Sequence, residues 1–219
     1  MFMSRIMPRR GVIERRDPWS HHAYDAHKTM WAVFGDDPER RRDFVFRQDM
    51  GDRGPHFLAV SPRPPAETDT WQVESKAYEP AIAVGDRYQF RLRANPTKRI
   101  QGDAQKGRRH DVVMAAKTLA RESGSRWDEA EAVQREGSAW LMAQAERHGF
   151  ALDEGAFVVD GYRQQRFRKK PQAPQVSVSM MDFTGHLRVT DVAAFEAALK
   201  SGIGPAKGFG CGLLLIRRP

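Results

Sequence analysis

Tyr24 and His27 stand three residues apart in the run Tyr24-Asp25-Ala26-His27. Residues at that spacing are neighbours on a helix surface, so a phenol and an imidazole can meet one substrate together. An imidazole moves protons near neutral pH, and a phenol can orient or polarise a hydroxyl. The pair is the minimum for metal-free cleavage of RNA, whose 2′-hydroxyl is a built-in nucleophile. A purely structural Tyr/His pair has the same spacing, so the two residues alone do not settle the chemistry.

A second stretch with chemical content is Gly202-Ile203-Gly204-Pro205-Ala206-Lys207-Gly208-Phe209-Gly210-Cys211-Gly212, which holds five glycines and a lysine in eleven residues. Glycine admits positive φ and close approach of a ligand, and clustered N–H groups with a lysine suit phosphate. Standard nucleotide loops run strand, loop, helix. Here a helix over 191–200 precedes the loop and a strand over 213–216 follows it, and neither GxGxxG nor GxxxxGK[ST] is present. The loop therefore reads as a backbone platform for something larger, with Lys207, Gly208 and Gly210 as candidate contacts.

Cations concentrate elsewhere too. Arg163, Arg166, Arg168, Lys169 and Lys170 fall within eight residues at a predicted hairpin that ends at Pro171. Lys98 and Arg99 open a polar stretch to His110 that also holds Lys106, Arg108 and Arg109. In the predicted strand over 87–94, Tyr88, Phe90, Leu92 and Ala94 alternate with Arg87, Gln89, Arg91 and Arg93, so one face carries an arginine row. Such surfaces bind nucleic-acid backbone, although a solvated face has the same pattern. His21, His22 and His27 raise the question of a metal. His22 and His27 are five apart, about 140° around a helix, and no HExxH or carboxylate–histidine spacing suits zinc. No metal and no cofactor is expected. Cys211 reads as a small residue filling space beneath the glycine loop.

These residues need elements to hold them. A strand over 2–7 leads to a helix begun by Asp17-Pro18 as N-cap and first residue and stopped by Gly35. Strands are predicted over 44–48, 57–61 and 87–94. Asp128 caps a helix to about His148, where Gly149 ends it. Short strands, or the arms of a hairpin, over 157–160 and 162–167 follow, then a second hairpin of 176–183 and 186–190 about Thr184-Gly185. Each half fits a β-α-β-β-α-β plan, with the second helix of the first half weakly marked. The expected fold class is α+β, two tandem ferredoxin-like domains: residues 1–96 with the Tyr24/His27 helix, a basic linker over 97–111, and residues 112–219 with the basic hairpin and glycine loop.

The chain has 219 residues, 36 Lys plus Arg against 28 Asp plus Glu, and a formal net charge of +8. That balance favours polyanionic partners. No apolar run approaches the length of a membrane helix, and the N-terminus lacks a signal-peptide core. With one cysteine there is no internal disulfide, which fits a reducing cytoplasm.

Three stretches together resemble a known family. They are Tyr24-Asp25-Ala26-His27-Lys28-Thr29-Met30-Trp31 with Phe34 and Arg42-Asp43-Phe44-Val45-Phe46-Arg47; Phe90-Arg91-Leu92-Arg93-Ala94-Asn95-Pro96-Thr97-Lys98; and the glycine-rich tail. In this order they resemble the CRISPR repeat-RNA endoribonuclease of the type I-E Cascade system, the CasE family. The resemblance implies tandem RRM-like domains and metal-independent cleavage of CRISPR precursor RNA at the base of a repeat stem-loop. The attack is by the 2′-hydroxyl, leaving a cyclic phosphate and a 5′-hydroxyl. It implies His27 as general acid or base, Tyr24 as its assistant, Lys28 beside them at the RNA, the 163–170 hairpin in the stem's groove, and Lys207 near the RNA. Other Cascade subunits are the implied protein partners, and no membrane is. A non-catalytic stem-loop-binding subunit on the same fold, or a metal-dependent nuclease using the histidines, would share many of these features.

Overall fold

Alternating buried and exposed residues build two main antiparallel sheets, the first covered by one helix and the second by three. The structure is a computed structural model that describes residues 1–10, 12, 22–35, 39–51, 54–99, 109–153, 155–168 and 172–219. Asp17-Pro18, His21, Lys106, Arg108, Lys169 and Lys170 lie outside the described residues.

The first sheet contains β1 (Phe2–Pro8), β2 (Val45–Gly51), β3 (Gly54–Ser61) and β4 (Trp71–Ala77) in the order β2-β3-β1-β4. Helix α1 (Ala23–Phe34) covers it. Its Ala23, Ala26, Met30, Val33 and Phe34 recur at helical spacing and are buried. Met30, Val33 and Phe34 pack with Ile6, Phe44, Phe46, Phe57 and Trp71. The plan calls for a second helix between β3 and β4. Pro62, Pro64 and Pro65 occupy that place and the segment is irregular, because proline removes helix donors.

The second sheet uses β5 (Arg87–Ala94), β9 (Phe157–Arg168), β10 (Gln175–Val189) and β11 (Leu214–Arg217), with the two-residue β8 (Phe150–Ala151) at one end. The order is β11-β5-β10, and β9 lies on the other side of β10. Helices α2 (Val112–Glu122), α3 (Glu129–Arg147) and α4 (Val192–Ser201) pack on it through Leu141, Ala145, Phe195, Leu199 and their neighbours. Asp128 and Asp191 cap α3 and α4, accepting from the Glu131 and Ala194 N–H groups. Both sheets have the strand order of a ferredoxin-like unit, so the fold is two such units in tandem.

Four expectations are corrected. The sequence reading puts β5 in the unit ending at residue 96, but the strand is hydrogen-bonded to β10 and β11 and belongs to the second sheet. Its alternation identifies a strand without revealing the partners. Thr184-Gly185 is not a turn: β10 runs straight through it. A β-carbon on Gly185 would sit 2.3 Å from the Ala156 carbonyl oxygen, so the glycine is there for close approach. The 157–167 region is likewise one strand. The hairpin is therefore β9–β10, with its tip at the basic end of β9. At the 97–111 stretch, β6 (Thr97–Arg99) pairs with β7 (Arg109–Asp111), and Asp111 then caps α2, a helix the sequence reading lacks.

Candidate RNA-cleavage site

On α1, Tyr24, His27 and Trp31 follow one another at spacings of three and four beside the buried stripe, so their rings crowd one shoulder of the helix. The glycine loop reaches this shoulder. Its short 3₁₀ turn (Lys207–Phe209) brings the Gly208 carbonyl oxygen 2.9 Å from His27 Nδ1. A carbonyl only accepts, so Nδ1 carries the proton in this contact, and in the neutral ring Nε2 is the basic nitrogen, the one suited to exchange a proton with a substrate. Phe209 lies 5.3 Å from the His27 ring, Phe167 of β9 lies 5.1 Å from Phe209, and Tyr24 stacks on Phe167 at 5.4 Å. With Tyr24 and His27 6.1 Å apart and nearly parallel, the four rings close a circuit. Gln165 Oε1 also accepts from the Ala23 N–H at 2.6 Å, tying β9 to the start of α1. Three segments far apart in sequence, α1, the basic hairpin and the glycine loop, thus converge on His27.

The loop's own backbone requires glycine at its base. Gly212 has φ +95°, and a β-carbon there would meet the Ile203 oxygen at 2.8 Å and the Lys207 stem at 3.2 Å. The Lys207 ammonium is held below its ordinary pKa by burial and then by the charge of Arg42. His148, at the end of α3, is held low by burial and by the charges of Lys207 and Arg147. Cys211 is buried, and desolvation pushes its thiol up to about 12, so it stays protonated and fills space as expected.

The other candidates are distributed unevenly. Lys28 is exposed, bonded to Asp25 at 2.8 Å and placed over the Tyr24 ring. Arg166 and Arg168 are exposed and flank buried Phe167, so alternation sends them to the opposite face of β9 from the aromatic circuit. Arg163 approaches Asp182 at 3.4 Å. Arg93 belongs to an inter-sheet ion network: it donates to Asp182 at 3.0 Å and to the Gln48 carbonyl at 2.6 Å, while Arg47 contacts both Asp182 and Asp49. Arg91 is exposed on the same strand. Lys98 and Arg99 stand apart from His27, lining a cleft of about 800 Å³ with Arg109, Arg147 and Gly204, and Lys98 is bonded to Glu136 at 3.3 Å. Gly208 touches the His27 contact directly, whereas Gly210 is buried with its α-carbon turned toward Phe46. Arg42, Phe167 and Phe209 complete the surroundings of His27, and the sequence reading does not single them out as site residues. Arg42 and Phe209 both stand inside the quoted stretches, which is the only sequence signal for them.

A family model described as CRISPR associated protein matches residues 1–218. The CRISPR system Cascade subunit CasE of Escherichia coli (strain K12) is 29% identical over 224 residues, covering 99% of this chain and 98% of that protein. The CRISPR-associated endoribonuclease Cse3 of Thermus thermophilus is 34% identical over 149 residues, covering 64% of this chain and 60% of that protein. A solved structure of CRISPR endoribonuclease Cse3 bound to 19 nt RNA superposes with a TM-score of 0.71 at 25% identity, covering 99% of this chain and all of that one.

Proposed function

The chain belongs to the CRISPR-associated protein family, as a member of its CasE-type endoribonucleases, and from that premise we propose that it cleaves CRISPR precursor RNA at the base of the repeat stem-loop, with His27 and Tyr24 at the scissile bond. The observation that carries this reading is the convergence of α1, the basic hairpin and the glycine loop on His27. In the reaction the 2′-oxygen bonds to the adjacent phosphorus as its proton leaves, the bond from phosphorus to the 5′-oxygen breaks, and that oxygen takes up a proton. The products are a 2′,3′-cyclic phosphate and a 5′-hydroxyl, with no metal in the balance. His27 Nε2 exchanges one of these protons while Gly208 holds Nδ1. Tyr24, stacked on Phe167, fixes the approach. The chain then keeps the product RNA as a Cascade subunit in the cytoplasm. Among the described residues no helix is long and apolar enough to cross a membrane.

RNA stems have a deep, narrow major groove, so recognition runs mainly through shape and phosphates. Exposed Arg166 and Arg168 on the hairpin and Lys207 in the loop suit that task. Each phosphate contact releases counterions and steepens the salt dependence of binding. Lys207→Ala and Arg168→Ala are therefore each expected to weaken hairpin binding and to lower the slope of log K against log salt by about one. Fluorescence titrations of a labelled repeat hairpin at several salt concentrations measure this, and slopes equal to wild type would remove those side chains from the interface. Mass spectrometry of the cleaved ends tests the reaction itself: a cyclic phosphate (or its opened form) upstream and a 5′-hydroxyl downstream are expected. A 5′-phosphate product would refute internal attack.

A further inference from the structure

Arg42 precedes β2 and is far from Gly208 in sequence, yet the two meet beside His27. A β-carbon placed on Gly208 would sit 3.5 Å from His27 Nδ1, 3.8 Å from Arg42 Cδ and 3.9 Å from Arg42 Nε. The imidazole and the guanidinium therefore border the same small space, which the missing side chain of Gly208 leaves open. Arg42 is held in place from the other side: it donates to the Phe44 carbonyl and lies 6.0 Å from the centre of the Phe44 ring.

Among the described residues no carboxylate is bonded to Arg42, although the charge of neighbouring Asp43 acts on it. Arg47 and Arg93 are tied to Asp49 and Asp182. Asp43, the acid next to Arg42 in sequence, is engaged by Arg63 at 2.9 Å. Among the described residues Arg42 forms no ion pair, and the second cation within its field is Lys207. Two cations close enough to act on each other, beside a proton-transfer group, make a seat for a phosphate.

We propose that Arg42 is a catalytic residue, its guanidinium binding the non-bridging oxygens of the scissile phosphate and stabilising the charge that grows there as the 2′-oxygen attacks. This rests on the reading that the chain cleaves RNA at His27. The attack turns a phosphodiester with one negative charge into a five-coordinate centre with more, and a fixed donor aimed at that charge acts mainly on the transition state. The inference also gives Gly208 a reason to be glycine: a side chain would occupy the phosphate's place.

The test is single-turnover cleavage of a synthetic repeat hairpin in EDTA by wild type, Arg42→Ala and Arg42→Lys. Affinity is measured in parallel on the same hairpin with a 2′-deoxy at the scissile position. Loss of one such donor is expected to slow Arg42→Ala by about 10²–10³-fold with the affinity for the uncleavable hairpin nearly unchanged. Added methylguanidinium should restore part of the rate, which a merely structural role would not allow. Arg42→Lys keeps a charge without the planar fork and should fall between the two. It also carries the comparison if Arg42→Ala fails to fold. Wild-type rates in both variants, or slow cleavage that follows weakened binding and ignores methylguanidinium, would overturn the role of Arg42 alone. Absence of cleavage by wild type would overturn the underlying function as well.

Discussion

His27→Ala is expected to lower single-turnover cleavage of the repeat hairpin by about 10²–10⁴-fold while leaving hairpin affinity close to wild type. The separation of the two effects follows from where His27 sits. It bonds the Gly208 carbonyl and packs against Phe209, with Trp31 6.3 Å away on the same helix. The cationic surfaces proposed to carry most of the RNA binding are on the hairpin and beyond. Removing the imidazole takes away the proton-transfer group and one contact to the loop, but it leaves Tyr24 on Phe167 and Phe167 on Phe209. Parallel binding and quenched-flow cleavage measurements decide the matter. A rate loss that tracks a loss of affinity would make His27 a binding or packing residue.

The second large effect is on stability. Asp182 on β10 accepts from Arg93 of β5 at 3.0 Å, faces Arg47 of β2 at 3.1 Å and lies 3.4 Å from Arg163 of β9. It bridges the two sheets, as does Asp49 of β2, which bonds Arg47 and lies 3.6 Å from Arg93. Arg47 is almost fully buried, with 4% of its side chain exposed; without Asp182, Arg47 and Arg93 would share Asp49 as their one carboxylate, and the surplus charge at such depth is costly. Asp182→Ala should therefore destabilise the fold by about 3 kcal/mol, which for a chain of this size is roughly 6–12 °C in Tm. Burial pushes the Asp182 carboxyl up, but the Arg93, Arg47 and Arg163 guanidiniums outweigh it and hold the group below its ordinary pKa. A carboxylate depressed in the native state contributes stability that is present above its unfolded value and lost as pH falls through the lowered native value. The gap in Tm between wild type and Asp182→Asn should accordingly be full near neutrality and shrink only in strong acid. A gap that is absent at pH 7, or that grows on acidification, would contradict the network's role.

The candidate residues are more legible in the sequence than the geometry that gathers them. Spacing along one helix places Tyr24 and His27 on a common face, and the aspartates at positions 128 and 191 announce their helices because N-cap chemistry is local. Sheet partnership is not local. The alternation of Arg87–Ala94 marks a strand, but the inference that its arginines form one row facing an RNA takes no account of Asp182, far along the chain, which draws Arg93 inward. Gly185 illustrates the same limit: a glycine after a threonine reads as a turn, and only the approach of Ala156 and Phe157 explains it as strand. Helix α2 is hidden behind the polar stretch that leads to it. The aromatic circuit joins residues from positions 24, 27, 167 and 209, and Arg42 meets Gly208 only after both domains have formed. None of these pairings leaves a periodic trace in a single chain.

The most direct measurement is cleavage of the repeat hairpin by wild-type protein in excess EDTA, with a second substrate that carries one 2′-deoxy at the scissile position. Internal attack catalysed without metal requires full cleavage of the first substrate and none of the second, with both bound equally well. Cleavage of the deoxy substrate, or activity that disappears in EDTA, would contradict the account, and tight binding without cleavage of either RNA would leave a stem-loop-binding subunit in place of an enzyme.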